Sequence, residues 1–462
     1  MIIMKFGGTS VQDAAAINNA IEIIRGRISR RPVVVVSAMA RVTDSLLEIA
    51  TAVSARDYEK ASSIIRLLRD RHRSTTAELI PADESHRRLR GSVEQKLDVL
   101  FNELETIALA AATLGELTNR TQDAIVSMGE RLSSVIVAGA LQAKSINAEM
   151  VDSRAFVVTD NHFTAAVPRM KETELKAREV LQPLIDSHVT PVAQGFIGAT
   201  IDGFTTTIGR GGSDYSAAII GASLGAEAIE IWTDVDGLMT ADPRVAPDAR
   251  RIKIISFGEA AELSYFGAKV LHPSTVLPAV EKGIPVYIFN THNPASGGTT
   301  IVAEPQPSRN LIKSIAFKRG VTIVNITSTR MLLAHGFLRT IFDVFDRYET
   351  SVDVVTTSEV SVSITLDNAE RIEPIKRDLE GIGQVAVEKH KAIVCVVGND
   401  LKFTPGLAGR VFGAVSGSNV NMISQGASEI NLSFVIDESD VEQAVRLLHK
   451  EFFSELDPAV FA

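Results

Sequence analysis

The sequence predicts an α/β protein in which helices cover both faces of a sheet, followed by two smaller β/α modules. Up to about Ile301, short apolar strand-like runs alternate with helical ones, the pattern of a sheet buried on both sides. The segment Glu304-Pro305-Gln306-Pro307-Ser308 then reads as a linker, because closely spaced prolines interrupt both kinds of periodicity. Beyond it the chain repeats itself. Phe342 and Phe412, the alternating runs 360–364 and 430–434, and Asp367 and Asp437 each stand 70 positions apart. Ser351-Val352-Asp353 and Asn419-Val420-Asn421 correspond only after a two-residue gap, so the duplication has diverged.

Element by element, residues 1–6 form a short buried strand. Ser10 with Asp13 reads as a capping box ahead of Ala14, Ile17, Ile21 and Ile24 at helical spacing. Lys5, Gly7 and Gly8 are thereby delivered to a helix N-terminus, where unpaired N–H groups favour anions and missing Cβ atoms admit a phosphate. A tight βα turn would use the same glycines, and this segment alone does not decide between the two. Residues 33–36 are a strand. Residues 44–114 are mostly helical, with Val93, Leu97, Leu100, Leu104 and Ile107 on one face, and make a candidate lid subdomain. Residues 189–193, 205–208, 229–232 and 286–289 are further strands.

Composition narrows the function. With 462 residues and 45% hydrophobic content the chain can build two or three domains with substantial cores. A net charge of −9 without a basic run argues against nucleic acid or an anionic membrane as partner. Cys395, the single cysteine, lies in the apolar run 393–397 and reads as a buried strand residue in a reducing compartment. No charged n-region precedes an apolar stretch, and no apolar run reaches ~20 residues, so the expected location is the cytoplasm. No Gly-Lys dipeptide exists, which excludes a P-loop. Gly381, Gly383 and Ala386 fit G-x-G-x-x-A, but they follow a helical run and precede a strand, the reverse of the dinucleotide order.

Four further segments place polar groups where regular elements end. Ser37-Ala38-Met39 follows a strand, with Thr43 and Asp44 opening the next helix. Ser127-Met128-Gly129-Glu130-Arg131 lies in a helical run, where a glycine costs up to ~1 kcal/mol and signals close approach by another element; Glu130 taken by itself reads as solvated. Gly209-Arg210-Gly211-Gly212-Ser213-Asp214 is the strongest signal, leading from a strand into the apolar helix 217–224. Its glycines expose N–H groups, Arg210 can clasp a carboxylate or phosphate, and Asp214 can orient a lysine or a metal. Finally, Trp232-Thr233-Asp234-Val235-Asp236-Gly237 with Asp242, Arg244 and Lys269 suits either turns or a nucleotide with its cation.

Residues 5–11, 209–214, 232–237 and the run Phe266-Gly267-Ala268-Lys269-Val270-Leu271-His272-Pro273 resemble the signatures of aspartate kinases, in the amino-acid kinase superfamily. The resemblance covers essentially the whole chain, and residues 351–360 look most like the lysine-sensitive, single-function branch. A fused homoserine dehydrogenase is not expected, since no Rossmann-like stretch follows Ala462. The family implies a three-layer α/β/α sandwich over residues 1–303, a linker at 304–312, and ferredoxin-like ACT modules at 313–389 and 390–462, with 313–318 a candidate first strand of the latter.

The implied activity is transfer of the γ-phosphoryl group of ATP, with Mg²⁺, to the side-chain carboxylate of L-aspartate, the first step of lysine, threonine and methionine biosynthesis. A carboxylate with pKa near ~3.9 is already ionised, so catalysis rests on alignment and charge neutralisation. By the resemblance, Lys5 bridges the transferring group and Asp214 orients Lys5 or acts near the metal. Thr43, Glu130, Phe196, Arg210, Gly211, Gly212 and Ser213 form the aspartate pocket, with Glu130 on the α-ammonium. Gly7, Gly8, Thr233, Asp234, Arg244, Lys269 and Val270 bind nucleotide, and no protein metal ligand is assigned. An effector, expected to be L-lysine, would bind at Met331, Ala334, Gly336, Phe337, Leu338, Ser351, Val352, Asp353, Ser358 and Glu359, with Asp353 on its ammonium. A homodimer or a tetramer of dimers would form through the ACT modules.

Three residues depart from the family pattern. Met239 replaces a tyrosine common beside the adenine, Arg41 a glycine common before the pocket threonine, and Leu333 a polar residue of lysine-sensitive relatives. Threonine regulation or none, another amino-acid kinase activity, and a catalytically dead amino-acid sensor are the competing readings.

Overall fold

Strand β1 (Ile2–Phe6) is buried along its whole length and pairs in parallel on both sides, with β2 (Pro32–Val36) and with residues 228–232. The computed structural model describes all residues except 210, 267–274, 305–306 and 332–334. It contains two units, Met1–Leu238 with Val270–Glu304 and Met239–Lys269 with Pro305–Ala462.

In the first unit β3 (Ala148–Val151), β4 (Thr190–Gln194), β5 (Ala228–Thr233), β6 (Val286–Asn290) and β7 (Thr299–Val302) extend the sheet to the order β3-β4-β2-β1-β5-β6-β7. All pairs are parallel except β6–β7. A side sheet joins Val158–Thr159, Ile197–Thr200 and Thr205–Thr207. The near-continuous apolar character of β1 and β2 follows from burial on both faces.

Six helices precede β3: α1 (Ala14–Arg25), α2 (Val42–Ser54), α3 (Tyr58–Leu79), α4 (Arg87–Leu114), α5 (Asn119–Val126) and α6 (Met128–Ala143). One buried cluster runs from Phe6 and Val36 through Leu46, Ile65, Leu97 and Phe101 to Leu132 and Ile136. The helical stretch 44–114 therefore shares the core of the sheet and is not a separate lid, correcting the expectation from its pattern. The stretch Asn119–Ala143 is long and apolar enough to cross a membrane, yet 94% of its apolar window is buried inside the protein. It is a core element.

The capping box expected at Ser10 is not formed. Asp13 alone caps α1, accepting the Ala16 N–H at 2.9 Å. A 3-10 turn at Gly8–Val11 carries Ser10 back over the end of β5, where its hydroxyl lies 3.3 Å from the Trp232 carbonyl and 2.6 Å from Thr291 Oγ1.

The second unit contains a six-stranded sheet of β8 (Ile312–Thr327), β9 (Val355–Thr357), β10 (Ser361–Leu366), β11 (Gln384–Gly398), β12 (Met422–Gln425) and β13 (Asn431–Asp437), in the order β9-β10-β8-β11-β13-β12. The repeat is visible in three dimensions, since β10 and β13 begin at positions 361 and 431. Phe342 and Phe412 sit on the helices Phe337–Arg347 and Leu407–Ala414. The strands β8 and β11 pair along their lengths, from Ile312 opposite Gly398 to Thr327 opposite Gln384. β10 takes the second half of β8 and β13 the second half of β11. Cys395 is fully buried on β11, and burial pushes its thiol up.

Candidate active site

Lys5 is the charged residue of β1, and its side chain reaches Asp214, Nζ to Oδ1 at 2.7 Å. Lys5 is 8% exposed. Asp214 lies in the first turn of the helix Gly212–Leu224, which starts five residues before the apolar run that announced it. Its N-cap, Gly211, has φ 75° and no side-chain cap, and Gly209 has φ 78°. Both positions need the left-handed region that glycine enters without strain, and the arrangement leaves the first N–H groups of the helix without a side-chain partner.

Gly7 and Gly8 occupy the turn after β1. A Cβ on Gly7 would lie 3.7 Å from Lys5 Nζ, and one on Gly8 would press to 3.0 Å from the Ala38 carbonyl. The first is an ordinary contact distance, whereas the second is tight, so Gly8 lets the loop after β2 close in.

That loop also meets α6. A Cβ on Gly129 would come within 2.7 Å of Ala38 Cβ, and Ser133 Oγ donates to the Ser37 carbonyl at 2.6 Å. The close approach buries Glu130, 3% exposed, and overturns its reading as a solvated residue. Glu130 Oε2 is buried with no hydrogen-bond partner. Burial raises its carboxyl to about 7, against the opposing pull of backbone N–H groups at Ala38 and Glu130 and of the Lys5 charge. Thr43 stands in the first turn of α2 rather than capping it, because the N-cap is Arg41 at φ 67°. The left-handed geometry explains why a glycine suits position 41.

Phe196, also left-handed at φ 67°, donates its N–H to Ser216 Oγ at 2.9 Å. A Cβ on Gly212 would lie 2.7 Å from Phe196 Cδ2, so the two loops interlock only with glycine there.

Lys5, Gly8, Thr43, Glu130, Phe196, Gly211, Gly212, Ser213 and Asp214 line one cavity of about 770 Å³. Its walls also include Ser37, from one of the segments singled out in the sequence, and Gln122, Asp123, Thr164 and Thr207, which the sequence reading did not assign to the site. Asp123 gave no signal, since an acidic residue on an amphipathic helix reads as solvent-facing; it is 1% exposed. Arg210, Lys269 and Val270 lie outside the described residues.

Of the remaining nucleotide candidates, Thr233 and Asp234 sit at and just beyond the end of β5, whose Trp232 is level with Phe6 of β1. Thr233 donates its hydroxyl to Asp234 Oδ1 at 3.2 Å. Arg244 and Met239 belong to the second unit. Arg244 is paired there with Asp242 at 2.7 Å, and the Met239 carbonyl accepts from Ser314 Oγ at 2.7 Å.

In the second unit Asp353 accepts the Tyr265 hydroxyl and lies 4.0 Å from Lys318 Nζ, which pairs with Asp367. The Asp353 side chain is 2% exposed, and its Oδ2 is buried without a partner. Burial, reinforced by the Asp367 carboxyl, raises Asp353 to about 6. In the repeat, Lys391 lies 2.7 Å from Asp437 and 3.5 Å from Asn421. Gly336, at φ 80°, opens the helix that begins with Phe337 and the exposed Leu338. Met331 and Val352 are half-buried, and Ser351, Ser358 and Glu359 are exposed. Ala334, with Leu333, is outside the described residues.

Comparison with known proteins gives this arrangement a family. Residues 1–290 match the amino acid kinase family and residues 394–452 the ACT domain. The lysine-sensitive aspartokinase 3 of Escherichia coli is 37% identical, with 98% of this chain and 99% of that protein aligned. The crystal structure of E. coli aspartokinase III with aspartate and ADP (R-state) matches with a TM-score of 0.83 at 34% identity. The same enzyme with lysine and aspartate (T-state) matches at 0.84 and 35%. Each of these matches covers 98% of this chain and 100% of the other. Likeness over that length, joined to a lysine-glycine turn and a glycine loop that meet on one cavity, makes this chain a member of the aspartokinases, with an amino acid kinase fold and ACT modules.

Proposed function

We propose that the cavity transfers the γ-phosphoryl group of ATP to the side-chain carboxylate of L-aspartate, giving 4-phospho-L-aspartate, and that L-lysine inhibits the reaction through the ACT modules. One observation supports this reading above the others: the Lys5–Asp214 pair lines the same cavity as Glu130, whose Oε2 is buried without a hydrogen-bond partner. A cation stands ready for the migrating negative charge, and an anion for the amino group.

The acceptor carboxylate is ionised at neutral pH, so no residue has to take its proton. Lys5, held in one orientation by Asp214, neutralises charge on the transferring group. Gly211, Gly212, Ser213 and Arg210 receive the α-carboxylate at a helix N-terminus. Glu130 Oε2 accepts the α-ammonium, whose arrival favours the ionised carboxyl, while Thr43 and Phe196 flank the substrate. Gly7 and Gly8 face the nucleotide phosphates, with Thr233, Asp234, Arg244, Lys269 and Val270 as the remaining nucleotide residues.

The charged side chains described in the cavity wall are Lys5, Arg41, Asp44, Asp123, Glu130 and Asp214. Carboxylates outnumber cations there, so an anionic substrate pair needs Arg210 and a divalent cation. Among the described residues no group of three or more His, Cys, Asp or Glu side chains has metal-binding geometry. The hard oxygens of the phosphates with the Asp214 carboxylate suit Mg²⁺, which when bound neutralises phosphate charge.

A coupled assay of ADP release with aspartate, glutamate and acetylglutamate tests the activity. Turnover with aspartate is expected, and its absence would overturn the reading. In the same assay Asp353→Ala is expected to abolish lysine inhibition while keeping kcat, because the effector's ammonium loses its counterion; inhibition at the wild-type lysine concentration would remove Asp353 from the effector site. Threonine in place of lysine separates the alternative effector. The reading carries with it a catalytic domain at 1–303, a linker at 304–312, ACT modules at 313–389 and 390–462 that pair subunits into a homodimer or a tetramer of dimers, and a cytoplasmic enzyme.

A further inference from the structure

We propose that Asp123 is a positioning residue that fixes the span of the substrate cavity and so selects aspartate over the longer glutamate; the inference rests on the aspartate-kinase reading above. Asp123 is 1% exposed, and each of its oxygens is engaged. Oδ2 accepts the N–H groups of Thr164 at 2.9 Å and Thr207 at 3.0 Å, and Oδ1 accepts the Thr207 hydroxyl at 2.7 Å. None of these partners is a cation. Burying a carboxylate is costly unless such donors compensate it, and three donors from two segments make the joint rigid.

Those partners line the same cavity and come from other segments of the chain. Thr207 ends the strand Thr205–Thr207 and is followed by Ile208 and Gly209; Gly211 is the N-cap of the helix that begins with Gly212 and Ser213. Ile208 donates its N–H to the Phe196 carbonyl at 2.9 Å. Thr164 adjoins the same loop, with its carbonyl 3.6 Å from where a Gly209 Cβ would stand.

On its own side, Asp123 accepts the Ser127 N–H through its carbonyl at 2.9 Å, and Ser127 is the joint between α5 and the α6 helix that carries Glu130. The side chain thus ties the element bearing the ammonium partner to the loop receiving the α-carboxylate. A cavity that cannot widen penalises an added methylene, commonly by about 10–200-fold in kcat/KM.

The sign of the effect separates positioning from simple electrostatics. Asp123→Asn removes negative charge beside an anionic substrate, and on charge alone should lower the aspartate KM. The staple predicts the opposite. Steady-state kinetics with aspartate and with glutamate, on wild type, Asp123→Asn, Thr207→Val and Thr207→Ser, decide between them.

For Asp123→Asn we expect the aspartate KM to rise by about 10-fold or more with kcat within about threefold, and the preference for aspartate over glutamate to fall by a similar factor. Thr207→Val, which removes one donor and leaves both N–H contacts, should move the same two quantities in the same direction by less, and Thr207→Ser should restore them. If Asp123→Asn does not fold, Thr207→Val with a wild-type melting temperature carries the test. An unchanged KM and selectivity in the variant that folds, or a fall in kcat alone, would overturn the inference. Absence of aspartate turnover in the wild type would instead overturn the function on which it rests.

Discussion

Lys5→Met is expected to lower kcat by about 10²–10³-fold, the usual loss on deleting a single preorganised group that stabilises transition-state charge. The acceptor needs no deprotonation, which leaves charge neutralisation as the main work to be lost. The variant is also expected to be less stable than wild type. A lysine at a glycine turn suggests a tolerant surface position, but Lys5 is 8% exposed and paired at 2.7 Å. Its removal strands the Asp214 carboxylate, and breaking a buried pair costs about 3–5 kcal/mol at full burial. Asp214 is 14% exposed, so a smaller loss is expected. Lys5→Met with Asp214→Asn should recover the melting temperature without recovering turnover. Wild-type kcat in Lys5→Met would remove the lysine from phosphoryl transfer.

Glu130→Gln is expected to raise the aspartate KM by roughly thirtyfold, because truncating one partner of a buried charge pair costs about 2 kcal/mol or more. The variant should also lose the pH dependence of that constant. In the free enzyme the carboxyl has been pushed up to about 7 by burial, and the substrate's ammonium requires its ionised form. Above neutral pH the wild-type KM is therefore flat; below it, KM rises by about tenfold per unit. Over the same range kcat stays level, since the acceptor ionises near ~3.9.

Stability shifts in the opposite sense. The folded protein binds this proton more tightly than the unfolded chain, whose glutamate titrates near 4.5, so Glu130 costs stability as pH rises from 4.5 towards 7. Thermal melts at pH 8 should find Glu130→Gln at least as stable as wild type. A flat wild-type KM between pH 5.5 and 8 would exclude Glu130 from the ammonium site.

Local pattern revealed what the backbone does and much of the phosphate chemistry. The valines of β2, the glycines at 7, 8, 211 and 212, and the 70-residue repeat are all legible without coordinates. Residues whose role depends on what another segment brings to them stayed hidden. Ser10 has the chemistry of a cap, but its hydroxyl is claimed by Trp232 and Thr291 from far along the chain. Glu130 and Asp123 sit on helices like solvent-facing acids, and only the approach of the Ala38 loop and of Thr207 buries them. Asp353 reads from the resemblance as the partner of an effector's ammonium, yet the Tyr265 hydroxyl is already bonded to it. Long-range burial has no signature in helical periodicity, because the stripe that faces the core is defined by neighbours the local window does not contain.

The two long strands of the second unit make its halves inseparable. Residues 312–318 pair with 393–398 and residues 321–327 with 384–391, so a chain ending near position 389 would strip the first half of β8 of its neighbour and leave a bare, apolar strand edge. Shortened versions of this enzyme should keep both halves or neither, and a change of sequence in one half is felt as strain in the other through the backbone they hold in common.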